Sequence, residues 1–277
     1  MPKFLTEQQV EQYRSDGYLC PLDLLSAEEV AYYRGVIEAH ERQHGGPLKG
    51  PLRHKTHLLF TALNDLVRHP RLLDAVEDIL GPNLLCWSTS FFIKEARDPA
   101  FVSWHQDATY WGLSSPDVTT AWIALSDSNR ESGCMRVIPG SHRRQLPHVD
   151  TFQENNLLTR GQEIAVKADE SQAVEFMLKP GQFSLHHVLL AHGSDPNRSG
   201  ERRIGFAIRY IPTHVRQIAG PKDSATLVRG VDRYGHFELE PRPDRDFAPE
   251  SVALHDEITR RQAAILYAGT ERKEFRD

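Results

Sequence analysis

Trp104-His105-Gln106-Asp107-Ala108-Thr109-Tyr110-Trp111 sets a histidine and a carboxylate two residues apart, where a strand pattern gives way to a loop. Residues i and i+2 of a strand project to the same side, so His105 and Asp107 can converge on one point. An imidazole and a carboxylate from one segment supply two of the three donors of a 2-His-1-carboxylate face. That face holds non-haem Fe(II) and leaves coordination positions open. On its own, His-x-Asp is a frequent chance pattern whose meaning depends on context. The neighbouring strands and a third donor decide it.

Outward from this stretch the hydrophobic period is two. Residues 84–95 alternate, with Ser88, Ser90, Phe92 and Lys94 on one face. Further strand patterns occupy 118–125, 134–138, 173–178, 182–190 and 203–212, separated by Gly, Pro, Asp and Asn turns. A polar excursion over 141–171 is too long for a plain turn and reads as a lid or an inserted loop. Ahead of the strands, Thr6 with Gln9 and Ser26 with Glu29 form two capping-box patterns that open helices. Pro70 and Gly81 bracket a third helix, and a last one spans about 249–268. The expectation is a mainly β chain with flanking α-helices, an antiparallel cupin-like jelly roll whose mouth receives a ligand. One domain is expected: a helical part over about 1–82, a jelly-roll core over about 83–212, and a C-terminal extension with a helix over 213–277.

Composition narrows the function. Hydrophobic residues make up 39% and charged residues 26%, enough of each for a soluble chain with a sizeable core. A net charge of −5 with no basic block argues against nucleic acid as partner. The three cysteines, Cys20, Cys86 and Cys134, lie far apart with no C-x-x-C spacing, so neither a disulfide framework nor a zinc knuckle is expected. No stretch approaches the roughly 20 apolar residues of a membrane span, and the N-terminus lacks the apolar run of a signal peptide. The expected setting is cytoplasmic and the expected partner a small molecule, with no membrane and no nucleic acid.

The chain has 14 histidines, so the third donor needs a second constraint. His192 leaves a strand pattern for a turn, 193–199, that leads into Arg202-Arg203 at the head of the next strand. A histidine at one strand end and an arginine on the neighbouring strand can bind iron and clamp a dicarboxylate together, because the planar guanidinium meets a carboxylate bidentately. His186 and His187, on the preceding strand, could take the place of His192.

The series His105-Gln106-Asp107, Trp122, Ser132-Gly133-Cys134-Met135-Arg136-Val137-Ile138-Pro139-Gly140-Ser141-His142, His192-Gly193-Ser194 and then Arg203, eleven residues past His192, resembles the phytanoyl-CoA dioxygenase family of Fe(II)- and 2-oxoglutarate-dependent oxygenases. The likeness covers about residues 6–212. It implies a double-stranded β-helix, iron on His105, Asp107 and His192, and 2-oxoglutarate with its far carboxylate on Arg203 and Ser194. It also implies that Trp122 and Ser90 line the co-substrate pocket. Neither His186 nor His187 is followed by Gly-Ser or stands at the family's distance from the arginine.

The implied reaction is hydroxylation by O2 with release of succinate and CO2; related halogenating enzymes carry a small residue where this chain has Asp107. The expected substrate is small and anionic or zwitterionic, an organophosphonate or an amino-acid-like compound, met by Tyr110, Arg136, His57 and Lys55; Arg143 and Arg209 could also approach the mouth. The alternatives are a non-catalytic cupin-like metal- and ligand-binding protein, a zinc hydrolase and an acyl-CoA hydroxylase. The first two leave Arg203 without a purpose.

Overall fold

The computed structural model describes residues 2–166, 168–271 and Phe275. In chain order it contains α1 (Glu7–Asp16), β1 (Tyr18–Asp23), α2 (Ala27–His44), α3 (Thr61–Leu66), α4 (Pro70–Leu80), β2 (Leu84–Lys94), β3 (Val102–His105), β4 (Thr119–Ala124), β5 (Met135–Val137), β6 (His148–Asp150), β7 (Gln162–Ile164), β8 (Val174–Glu175), β9 (Gln182–His187), β10 (His192–Ser194), β11 (Arg203–Pro212), β12 (Ser224–Arg229), β13 (Glu238–Leu239) and α5 (Pro249–Leu266). Both capping boxes form, and α1 and α2 end on Gly17 and Gly45 in the left-handed region at φ 86° and 72°. Among the described residues no helix is long and apolar enough to cross a membrane.

Seven strands make the larger sheet, in the order β1-β9-β4-β11-β2-β12-β13, and four make the smaller, β3-β10-β5-β8. The two sheets form the jelly roll and face each other across a cavity to which both contribute. Strand β11 lies near the centre of the larger sheet and shows how it is built. Ile204, Phe206, Ile208 and Tyr210 project to one side and pack with Leu63, Leu72 and Val76 from the helices, all fully buried. Arg203, Ala207 and Arg209 project to the other side and line the cavity. Between them, Gly205 lets the Trp122 indole lie flat on the strand, since a Cβ there would meet the ring at 1.9 Å.

Several elements were not legible in the sequence patterns. Strand β1 lies in the segment read as helical and pairs with β9 along the sheet edge. On the opposite flank, β12 pairs with β2. The 141–171 excursion carries its own hairpin, β6 with β7. Arg160, beside that hairpin, ties it to the C-terminal helix. Its Nε donates to Leu266 O at 2.5 Å, Nη2 to Ala268 O at 2.6 Å, and Nη1 pairs with Asp150 at 3.0 Å. The cation thereby satisfies carbonyls at the end of α5, where unpaired backbone oxygens and the helix dipole favour positive charge.

Lys55 and His57, expected near the substrate, are instead fully buried around Glu240. The Lys55 ammonium contacts the Glu240 carboxylate directly and donates to Ser224 O at 2.8 Å; His57 Nε2 lies 3.3 Å from Glu240, which also accepts from Thr226 Oγ1 at 2.6 Å. Burial alone would raise the Glu240 carboxyl, but the charge of Lys55 and the hydrogen bond with His57 outweigh it and hold it at about 2. This cluster joins the loop after α2 to β12 and to the segment following β13.

Two outcomes are expected from these contacts. Glu240→Ala leaves a buried ammonium unpaired and should cost roughly 3–5 kcal/mol in chemical denaturation at pH 7. Because folding depresses this carboxyl, its contribution is present above the unfolded value of 4.5 and is lost as pH falls toward about 2, so the gap between wild type and variant should narrow over that window. Arg160→Met should speed amide hydrogen exchange about tenfold or more at 157–162 and at the end of α5, for a loss of about 1.4 kcal/mol of local stability.

Candidate active site

Strand β3 ends at His105, and Asp107 opens a single helical turn, its N–H held by Val188 O at 3.0 Å. Gln106 between them is completely buried. Its amide donates to Leu189 O at 2.6 Å and Arg144 O at 2.9 Å and accepts from Leu146 N at 2.7 Å, locking the loop that carries the pair. His192 starts β10 and stands opposite His105 in the ladder. The donor atoms of His105, Asp107 and His192 all lie within 4.8 Å of one another, and all three residues are buried.

The donor set suits a divalent cation. His105 Nδ1 faces Ser103 O at 2.9 Å and His192 O at 3.1 Å, while His192 Nδ1 faces Leu190 O at 2.9 Å. Carbonyls only accept, so each Nδ1 carries a proton and each Nε2 is left to act as ligand, the usual outer-shell arrangement around a metal. His105 Nε2 lies 3.2 Å from Asp107 Oδ1, a pair of atoms that can share either a proton or a cation. Burial lowers the His192 pKa to about 4, with the charge of His105 adding to the effect, so the imidazole is neutral at physiological pH. At Asp107 burial works the other way, but the His105 hydrogen bond and the charges of His192, His105 and Arg209 outweigh it and hold the carboxyl well below its ordinary range.

Beyond the triad, the same cavity receives Arg203, Ser194 and Trp122. The Arg203 guanidinium lies 5.6 Å over the Trp122 ring and donates one Nη1 bond to Gly133 O, while its Nε has no hydrogen-bond partner. Burial lowers its pKa to about 10, which still leaves it charged. Lys94, opposite Arg203 in the ladder, donates to Ser194 Oγ at 2.8 Å and so frees the serine hydroxyl to donate into the cavity. Burial and the Arg203 charge lower the Lys94 pKa to about 6. A guanidinium and a hydroxyl donor, both buried in the lining of one pocket, match a carboxylate.

A second cavity adjoins the first and shares Phe92, Asp107 and Arg209 with it. Its walls include Trp87, Trp111, Ser88, Asp223 and His54, and its roof comes from Leu157 and Leu158 of the excursion and Ile265 and Leu266 of α5.

The structure separates several residues that sequence reasoning had grouped. Ser90 lines the second cavity rather than the co-substrate pocket, bonded to His54 Nδ1 at 3.1 Å. Tyr110 lies under the Arg160 guanidinium at 4.1 Å, outside both cavities. Arg136 is drawn outward by Glu170 at 2.9 Å and Asp195 at 3.5 Å. His187 accepts from Leu189 N at 3.1 Å, away from the triad. His186 does enter the first cavity, its ring 5.1 Å from that of His192, without joining the cluster. Sequence patterns do not disclose Lys94 or Asp223: alternation groups Lys94 with Ser88, Ser90 and Phe92 without showing what that face meets, and no pattern marks Asp223.

The sequence profile described as "Phytanoyl-CoA dioxygenase (PhyH)" matches residues 13–205. Among curated relatives, a probable alpha-ketoglutarate-dependent hypophosphite dioxygenase of Stutzerimonas stutzeri is 29% identical, covering 83% of this chain and 84% of its own. An ectoine dioxygenase of Nocardia farcinica is 28% identical, covering 81% and 85%. Among solved structures, a non-heme monooxygenase, ThoJ in its apo form, superposes with a TM-score of 0.82 at 37% identity over 93% of this chain and 96% of that one. CytC3 with Fe(II) and alpha-ketoglutarate gives a TM-score of 0.67 at 25% identity over 89% and 97%. The chain thus belongs to the phytanoyl-CoA dioxygenase family and is an Fe(II)- and 2-oxoglutarate-dependent dioxygenase.

Proposed function

We propose that this dioxygenase is a cytosolic hydroxylase of a small anionic or zwitterionic compound, the whole chain forming one catalytic unit. One observation supports the reading: the His105/Asp107/His192 cluster lines a cavity that holds Arg203 and Ser194, and through Asp107 it also borders a second, adjoining cavity, with the buried Arg209 on the boundary between the two. In this reading the co-substrate takes the Arg203 end of the first cavity and the substrate takes the second cavity, beyond Arg209.

When bound, ferrous iron with 2-oxoglutarate and O2 supplies the oxidising power to convert a C–H to a C–OH, with succinate and CO2 as the other products. The protein's own part is positioning and exclusion of water. His105, Asp107 and His192 would hold the metal. Arg203 and Ser194 would grip the far carboxylate of 2-oxoglutarate, with Trp122 as the wall beside it and Lys94 orienting the serine. The aromatic and aliphatic lining of the second cavity, with its roof in place, keeps bulk water from the reacting carbon. The relatives named for ectoine and hypophosphite are consistent with small charged substrates.

Asp107→Ala should lose stoichiometric Fe(II) binding and all turnover; full turnover with bound iron would remove Asp107 from the metal. Arg203→Ala should raise the KM for 2-oxoglutarate at least tenfold, for a lost charge-assisted pair of about 1.5–3 kcal/mol; an unchanged KM would place the clamp elsewhere. A screen for substrate-dependent succinate release over amino acids, ectoine-like solutes, phosphonates and acyl-CoAs tests the assignment as a whole. Release with a hydroxylated product from one of the first three groups is expected, and release with acyl-CoAs alone would overturn it.

A further inference from the structure

The second cavity contains a buried cation and a buried anion that do not meet. Arg209 is 6% exposed and Asp223 0% exposed, both line the cavity, and among the described residues neither is ion-paired. The Arg209 guanidinium lies 5.7 Å from the centre of the Phe92 ring and 5.6 Å from that of Trp111, and its Nε has no hydrogen-bond partner. The carboxylate whose charge reaches it is Asp107, which belongs to the metal cluster. Among the described residues the Asp223 carboxylate accepts from neutral donors alone: Trp87 Nε1 at 2.8 Å, Ser224 N at 2.8 Å and Gln262 Nε2 at 3.4 Å. Arg261, the cation that senses its charge, is engaged by Glu238 at 2.7 Å and Glu257 at 3.5 Å.

Buried charges left uncompensated are costly, and they are kept where something opposite in sign completes them. Here the two signs stand at separate places on the wall of one cavity. A purely anionic ligand would satisfy Arg209 and desolvate Asp223 against nothing; a purely cationic one would do the reverse. The indoles of Trp87 and Trp111, with ring centroids 4.9 Å apart, line the same cavity, and aromatic faces attract a desolvated ammonium. We propose that the second cavity binds a small zwitterion, with its carboxylate or other oxyanion on Arg209 beside the metal cluster and its ammonium group on Asp223 against Trp87. This inference rests on the dioxygenase reading above and narrows its substrate class.

Trp87 and Trp111 provide a binding signal independent of turnover. The full-length protein, loaded anaerobically with Fe(II) and 2-oxoglutarate, is titrated with three pools while tryptophan fluorescence is followed. All three are built from amino acids with uncharged side chains other than tryptophan and tyrosine: the first holds the free amino acids, with ectoine and glycine betaine added; the second holds their N-acetyl derivatives, which are anions only; the third holds their α-carboxamides, which are cations only. The zwitterion pool should act at concentrations at least tenfold below either derivative pool. Asp223→Asn and Arg209→Gln should each weaken that response at least tenfold, with Arg209→Lys recovering part of the loss.

An equal response to the anionic or the cationic pool overturns the proposal, as does silence from all three or undiminished binding by a folded Asp223→Asn. The wild-type comparison decides by itself if a variant fails to fold. The weak visible absorption of the Fe(II)–2-oxoglutarate chelate is read in the same samples. If it is missing from the wild type, the dioxygenase reading fails, whereas a normal band with no preference for zwitterions rejects only the substrate class.

Discussion

Two guanidinium groups, Arg203 and Arg209, are buried on one face of one strand, and a protein interior tolerates such charges only where opposite charge or hydrogen-bond acceptors reach them. Six residues apart, they are separated by about 20 Å of extended chain. His105 and His192 come from the opposing sheet, and with Asp107 they line the cavity that both arginines enter. The other face of the same strand is an unbroken apolar surface buried against the helices. Strand β11 thus couples stability to chemistry: the burial that anchors Ile204, Phe206, Ile208 and Tyr210 also fixes where the arginines point.

What the sequence disclosed follows from this alternation. Period-two patterns located β2, β4, β9 and β11, and parity grouped Phe92 and Lys94 on one face of β2. The capping boxes at Thr6 and Ser26 and the proline and glycine bracketing α4 located three helices, since those signals are local. The triad emerged from spacing and likeness to a known family, because its members sit at strand ends where the chain has little freedom.

What the sequence concealed is non-local. Strand β1 lies between two strong helices and holds only six residues, with Cys20-Pro21 in its middle, so its pairing with β9 has no signature of its own. Lys55 and His57 read as a basic, solvated or substrate-facing loop. Their burial depends on Glu240, about 185 residues away along the chain, and no window around position 55 contains that partner. Ser90 shares its strand face with Phe92, yet only Phe92 reaches both cavities while Ser90 lines the second alone, a distinction set by depth rather than parity. No motif marks Asp223 because its partners Trp87 and Gln262 reach it from other elements.

The roof over the second cavity consists of the 157–162 segment and the end of α5, stapled together by Arg160. Helix α5 lies wholly beyond residue 205, where the family profile stops. The proposed substrate cavity is therefore closed in part by residues beyond the matched span, while Trp87, Trp111 and Leu157 in its lining lie inside it. A change in the 72 residues beyond position 205 can reshape that roof without touching His105, Asp107, His192, Ser194 or Arg203, all of which lie within the matched span.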